Sequence, residues 1–232
     1  MLLSVYHYYQ ELINFLFPEL CVLCNRTLVK QEDEICVHCF NELPLTYYHF
    51  DDENPVSKLF WSRPNVLFGT ALYHYGKGNK IQKYLHALKY ENHPYLGVKA
   101  GKIYGNMLKE NKFIADCDYI IPVPLHPLKL KLRGYNQSEV LGDGLSESLK
   151  IPQVLDVLVR TKNTSSQTRK SKEERAENVK NVFQINHPEK IQNKTLLLID
   201  DVVTTGATLD ACCEALSQIE GVKIVILCIA AR

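Results

Sequence analysis

The chain has 232 residues, 46% of them hydrophobic, enough to bury one good core and carry a small appendage. Its 27 basic residues nearly match its 26 acidic ones, giving a formal charge of +1. That balance excludes a whole-protein field that would draw the chain to nucleic acid or a membrane, so any such attraction must come from local patches.

The first twenty residues, MLLSVYHYYQELINFLFPEL, are interrupted by His7, Gln10, Glu11 and Asn14 and lack the basic start and cleavage site of a signal peptide. They read as an amphipathic helix packed on its own domain, with membrane attachment as the alternative. The expectation is a cytoplasmic protein without stable membrane insertion.

Eight cysteines are present, four of them in CVLCNRTLVKQEDEICVHC. Cys21 and Cys24 form one CxxC pair and Cys36 and Cys39 a second, so two tight turns can converge four thiolates on a tetrahedral metal. The polar loop between them cannot bury a core, and bound metal would supply the folding free energy there. Structural zinc is expected, with redox disulfides as the alternative. Four sulfurs leave no open coordination position, so such a zinc holds shape or presents a surface. Cys117, Cys212, Cys213 and Cys228 show no such spacing and read as ordinary buried thiols.

Residues 46–65, rich in Pro, Asn and Asp, read as a linker or loosely structured arm between an N-terminal unit (1–45) and a main domain (66–232). VLFGTALYHY then has strand spacing, and GNKIQKYLHALKY switches to helical spacing through Ile81, Leu85 and Leu88. Helix is expected over residues 95–110, strand in DYIIPVPL, helix in NQSEVLGDGLSESLK and strand in PQVLDVLVR. The chain closes with strand KTLLLID, helix ATLDACCEALSQIE and strand VKIVILCIAAR. The alternation predicts an α/β fold, a mostly parallel sheet flanked by helices, beside the small four-cysteine module.

In such a sheet a ligand sits beyond the C-terminal ends of the strands. The run LLLI is continuous and apolar, so Asp200 and Asp201 fall where that strand emerges, and VVTTGAT turns into a helix whose free N–H groups face the same opening. Backbone amides of Val203 to Ala207, with the hydroxyls of Thr204, Thr205 and Thr208 around Gly206, make an anion pocket for a phosphate. Two acids beside it need hydroxyls or a cation, and a sugar phosphate with a cis-diol and nearby Mg²⁺ supplies both.

The string LLLIDDVVTTGATL closely resembles the phosphoribosyl-pyrophosphate (PRPP) loop of type I phosphoribosyltransferases. With FLFPELCVLC and the second CxxC, IPVPLHPLKLKLRGYNQSEVL and RTKNTSSQTRKSKEERAENVKNVF in order, the chain from about Phe15 onward resembles the ComF family. Those competence-associated proteins, the ComFC and GntX-like relatives among them, join a zinc knuckle to a phosphoribosyltransferase-like domain.

The resemblance implies that Asp200 and Asp201 contact ribose hydroxyls and that Val203, Thr204, Thr205, Gly206, Ala207 and Thr208 wrap the 5′-phosphate. It marks Arg133, Gly134, Tyr135, Asn136 and Gln137 as the loop after an early strand, and Arg160, Gln167, Arg175 and Asn178 as a hood over the site. These serve the pyrophosphate in related transferases, although PLHPLKLKLRG departs from the small Gly-rich loop of many salvage enzymes. Lys89 in ALKY also matches a family position, where a lysine at a helix end equally complements the dipole.

The residues themselves are compatible: three basic residues and no acid from His126 to Arg133, and seven basic against three acidic from Arg160 to Lys180. Such runs suit a pyrophosphate or a nucleic-acid backbone. Three readings follow. The first is a phosphoribosyltransferase with an unidentified acceptor, acting in DNA uptake. The second is a non-catalytic single-stranded DNA-binding competence factor using the same pocket. The third is a PRPP sensor that signals to a partner such as a helicase. Oligomeric state is not legible.

Overall fold

The structure, a computed structural model, describes residues 17–161 and 182–232. The expected N-terminal helix therefore lies largely outside the described residues, as do Gln167, Arg175 and Asn178.

The cysteine knuckles come first. A short helix, α1 (Val37–Asn41), starts at Cys36, whose sulfur accepts the Cys39 N–H at 3.4 Å, while Cys21 Sγ accepts the Cys36 N–H at 3.4 Å. The segment read as an arm carries a 3-10 turn at Tyr48–Phe50 and a helix, α2 (Pro55–Leu59), and is more ordered than its composition suggested. Its order has a local cause: Asn54 caps α2 through the N–H groups of Val56 and Ser57 and also donates to the Gly69 carbonyl of the first strand.

From there strands and helices alternate as the periodicity predicts. β1 (Val66–His74) is followed by α3 (Lys80–Tyr90), α4 (Pro94–Met107), the short α5 (Lys112–Ala115) and β2 (Tyr119–Pro122). Next come α6 (Pro127–Arg133), α7 (Gln137–Leu149), β3 (Leu158–Arg160) and β4 (Phe183–Ile185). The chain ends with β5 (Thr195–Val203), α8 (Ala207–Leu216) and β6 (Lys223–Ala231).

The main sheet has the order β1-β6-β5-β2, with every pair parallel. Because strand side chains alternate in direction, β5 serves two cores. Leu197 and Ile199 join Val225 and Leu227 against α3, α4 and α7, while Leu196 and Leu198 join Ile224 and Ile226 against α8. All eight are fully buried, the expected state of strands covered on both faces.

Helices α4 and α7 cross closely because Gly97, Gly101 and Gly105 follow one stripe of α4. A methyl group on Gly101 would lie 2.2 Å from the Leu141 carbonyl oxygen, and one on Gly144 of α7 would lie 2.1 Å from the Val98 carbonyl oxygen.

Two sequence expectations change. PQVLDVLVR is not one strand: Gln153 forms a single parallel bridge to Ile120, and only Leu158–Arg160 is a strand, pairing antiparallel with β4 in a separate ribbon. The Pro152 carbonyl accepts the Ile120 N–H and Val154 donates to the Ile120 carbonyl, but the next bond along this edge would need an N–H from Pro122 of β2, which has none, so the segment leaves the sheet. The run PLHPLKLKLRG is also not wholly a loop, because Pro127 at the first turn and His126 as cap start α6, which Gly134 ends at a φ of 85°. Among the described residues, no helix is long and apolar enough to cross a membrane.

Candidate functional site

Strand β5 carries the acid pair to the sheet's C-terminal edge, where Asp200 lies in register with Cys228 of β6. The two carboxylates point to different neighbours. Asp200 Oδ1 accepts the Ser138 hydroxyl at 3.0 Å and the Asp201 N–H at 2.8 Å, whereas Asp201 Oδ1 accepts the Lys89 ammonium at 2.8 Å. Burial, then the negative charge of Asp201, push the Asp200 carboxyl up to about 7, against the pull of the Asp201 N–H, Lys89 and Ser138.

Past the acids the chain turns tightly. Gly206, at a φ of 76°, begins α8 with no side-chain cap, leaving the helix's first N–H groups for another acceptor. A cavity of about 60 Å³ is lined by Asp200 and by Val202 through Leu209. With roughly 30 Å³ per water in the liquid, that space suits one tetrahedral anion. The expected residues Val203, Thr204, Thr205, Gly206, Ala207 and Thr208 all line it, together with Asp200.

A larger cavity of about 460 Å³ opens beside the acids, lined by Lys89, Tyr90, Asn92, Lys129, Leu132 and Arg133. The Arg133 guanidinium lies 5.2 Å from the Tyr90 ring centre and donates to Gln137 Oε1. Gln137 is buried and braces the arginine rather than facing the opening. Burial, then the charges of Arg160, Arg133 and Lys89, lower the Lys129 ammonium below its usual range. Arg160, at the end of β3 with its guanidinium 5.4 Å from the Phe183 ring centre, therefore belongs to the same electropositive region.

Sequence reasoning missed Ser138, Tyr90 and Asn92. Ser138 was within reach: Asn136 accepts its N–H as the cap of α7, so Ser138 sits in a first helical turn facing the strand ends. Tyr90 and Asn92 had no local signal, since only the fold brings the end of α3 to α6.

Away from this site, the sulfurs of Cys21, Cys24, Cys36 and Cys39 all lie within 4.8 Å of one another. A tetrahedral centre with metal–sulfur bonds of about 2.3 Å needs sulfurs roughly 3.8 Å apart. Cys24 and Cys36 are 3.8 Å apart, and the Lys80 ammonium donates to Cys39 Sγ at 3.1 Å. The cluster could hold a metal ion.

Residues 136–232 match the phosphoribosyl transferase domain model. The chain is 39% identical over 92 residues to competence protein F of Haemophilus influenzae, covering 39% of this chain and 40% of that protein. It is 37% identical over 91 residues to the DNA utilization protein YhgH of Escherichia coli K12, covering 39% of each. These matches thus span about two fifths of each curated relative. Among solved structures, the adenine phosphoribosyltransferase of Leishmania tarentolae is 13% identical over 78% of this chain and 89% of that chain, with a TM-score of 0.40. The purine phosphoribosyltransferase of Pyrococcus horikoshii is 24% identical over 59% of this chain and 75% of that chain, with a TM-score of 0.33. Residues 136–232 thus match a phosphoribosyl transferase domain, and a stretch of about 90 residues is similar to competence protein F and to the DNA utilization protein YhgH.

Proposed function

We propose that this protein binds PRPP, or the ribose 5-phosphate part of a nucleotide, and transfers the phosphoribosyl group to a nucleophile, in the handling of incoming DNA. The observation that carries the reading is the adjacency of three parts: the acid pair at the end of β5, the anion-sized turn before α8 and the basic cavity beside both. The names of the relatives, competence protein F and DNA utilization protein, supply the biological setting.

In this mechanism the turn of Val203 to Thr208 binds the 5′-phosphate through backbone N–H groups and threonine hydroxyls. Asp200 and Asp201 hold the ribose hydroxyls and would hold Mg²⁺, which when bound neutralises phosphate charge. Lys129, Arg133 and Arg160 face the pyrophosphate, so negative charge builds on the leaving oxygen against fixed cations as the anomeric C–O bond breaks and the new bond to the nucleophile forms. Gln137 keeps Arg133 aimed at that end. The four cysteines would hold a structural zinc, closed to chemistry.

A second reading, in which the pocket grips single-stranded DNA without turnover, draws on Tyr90. Its ring is largely exposed, beside Arg133, and available for base stacking.

Calorimetric titration of PRPP with Mg²⁺ into the wild-type and Asp200→Asn proteins tests the proposal. Asparagine keeps the Ser138 hydrogen bond and removes a carboxylate that burial disfavours, so the melting temperature should not fall. Affinity should drop at least about tenfold, or 1.4 kcal/mol. Equal affinities in the two proteins would sink the ribose-phosphate site. Binding of DNA alone, steeply salt dependent, would favour the second reading.

A further inference from the structure

The Lys89 ammonium borders two places at once. It lies 2.8 Å from Asp201 Oδ1, with the two side chains 21% and 12% exposed, and it lines the basic cavity with Lys129 and Arg133. Asp201 thus neutralises one of the cations crowded around that cavity, and Lys89 neutralises one of the two adjacent carboxylates. Each half of the site answers the other's excess charge through this single contact.

We propose that Lys89 is a shared counter-ion that couples the two halves. In the free protein it is held by Asp201. When a cation or a diol occupies the acid pair, the ammonium is released on its flexible four-carbon stem to a polyanion in the cavity. Binding at the acids and binding in the cavity then favour each other, and linkage makes the effect reciprocal. Lys89 is accordingly a positioning residue on the acid side and a ligand residue on the anion side. The inference rests on the phosphoribosyl reading of the site, since it takes the cavity to hold the pyrophosphate end.

The contact makes an unusual expectation. Removing the carboxylate in Asp201→Asn frees Lys89 without any divalent ion, so inorganic pyrophosphate in buffer free of divalent ions should bind this variant about tenfold more tightly than wild type. Loss of a nearby negative charge would help any anion, so the deciding comparison is the same substitution in a Lys89→Met background. There the gain should fall below about twofold, because the freed cation no longer exists. Lys89→Arg should restore it. In the reverse direction, Mg²⁺ without any anion should bind Lys89→Met more tightly than wild type, because the acid pair has lost the cation held on Asp201.

A gain of equal size in both backgrounds, or no gain in Asp201→Asn, overturns the shared counter-ion while leaving the cavity as an anion site. Absence of pyrophosphate binding in every variant removes the cavity reading itself, and the coupling with it. Thermal melts of each variant identify any that fail to fold. If Lys89→Met fails to fold, Lys89→Gln, which also removes the charge, takes its place in the comparison.

Discussion

Asn54 is fully buried in the segment that joins the cysteine module to the sheet, and every polar atom of its side chain is engaged. Its carbonyl oxygen accepts the N–H groups of Val56 and Ser57 at 2.9 and 3.1 Å, and its amide donates to the carbonyls of Tyr48, Asp51 and Gly69. Loss of a helix cap costs about 1 kcal/mol, and leaving buried groups short of a partner adds about 1–3 kcal/mol. Asn54→Ala should therefore lower stability by about 2–4 kcal/mol, read as an earlier urea midpoint at unchanged slope. A loss under about 0.5 kcal/mol would mean that the segment is held by α2 packing alone. At this scale the sequence was legible where chemistry is local. Asp200, Asp201 and the Thr204–Thr208 turn are contiguous, so strand, acids and helix start could be read together. The Lys89–Asp201 pair joins residues 112 positions apart and carries no local trace.

The elements were largely legible because most have a clear period, and the exceptions are those set by tertiary pairing. Strand β3 depends on β4, its partner across the ribbon, rather than on its own pattern. The same limit applies to how helices meet. Residues 95–110 read as a helix, but nothing in that periodicity announces that α4 lies almost backbone to backbone on α7. The glycine stripe makes that approach possible, and α7 in turn carries Ser138 to Asp200 and Gln137 to Arg133. A methyl group at Gly101 meets backbone, 2.2 Å from the Leu141 oxygen and 2.8 Å from the Leu145 nitrogen, and neither can move without shifting α7. Alanine brings about 1 kcal/mol of helix propensity but overpacking costs about 1–3 kcal/mol, and contact this short lies at the upper end. Gly101→Ala should destabilise by about 2 kcal/mol, while Gly105→Ala, whose methyl meets the Ser148 side chain at 2.7 Å, should cost less. Thermal melts of the two variants check the order, and equal losses would show that the helices separate freely.

Over the whole molecule, composition suggests a zinc-bearing appendage tethered to a domain, whereas the packing joins them. Cys21, Leu23, Ile35, Cys36, Cys39 and Leu43 belong to the same buried cluster as Tyr84, Leu85 and Leu88 of α3. Polar contacts then bracket that helix. Lys80 at its start donates to Cys39 Sγ and pairs with Glu42, Lys83 donates to the Leu23 carbonyl at 3.3 Å, and His93 just beyond its end lies 3.4 Å from Glu34. Four thiolates around a divalent ion carry about two net negative charges, which the Lys80 and Lys83 ammonium groups oppose. Metal occupancy should therefore stabilise α3, and α3 delivers Lys89 and Tyr90 to the site. Stripping the metal with a chelator, or substituting Cys36→Ser, should do more than melt the knuckles. The protein should still unfold in one transition, with its midpoint lowered by about 10 °C, which for a chain of this size corresponds to about 3 kcal/mol. Hydrogen exchange should show the amides of Lys80–Tyr90 losing protection together with those of the knuckles. A melting temperature that stays put while only the knuckle amides exchange faster would mean that the module is an appendage after all, with no hold on the helix that reaches the acid pair.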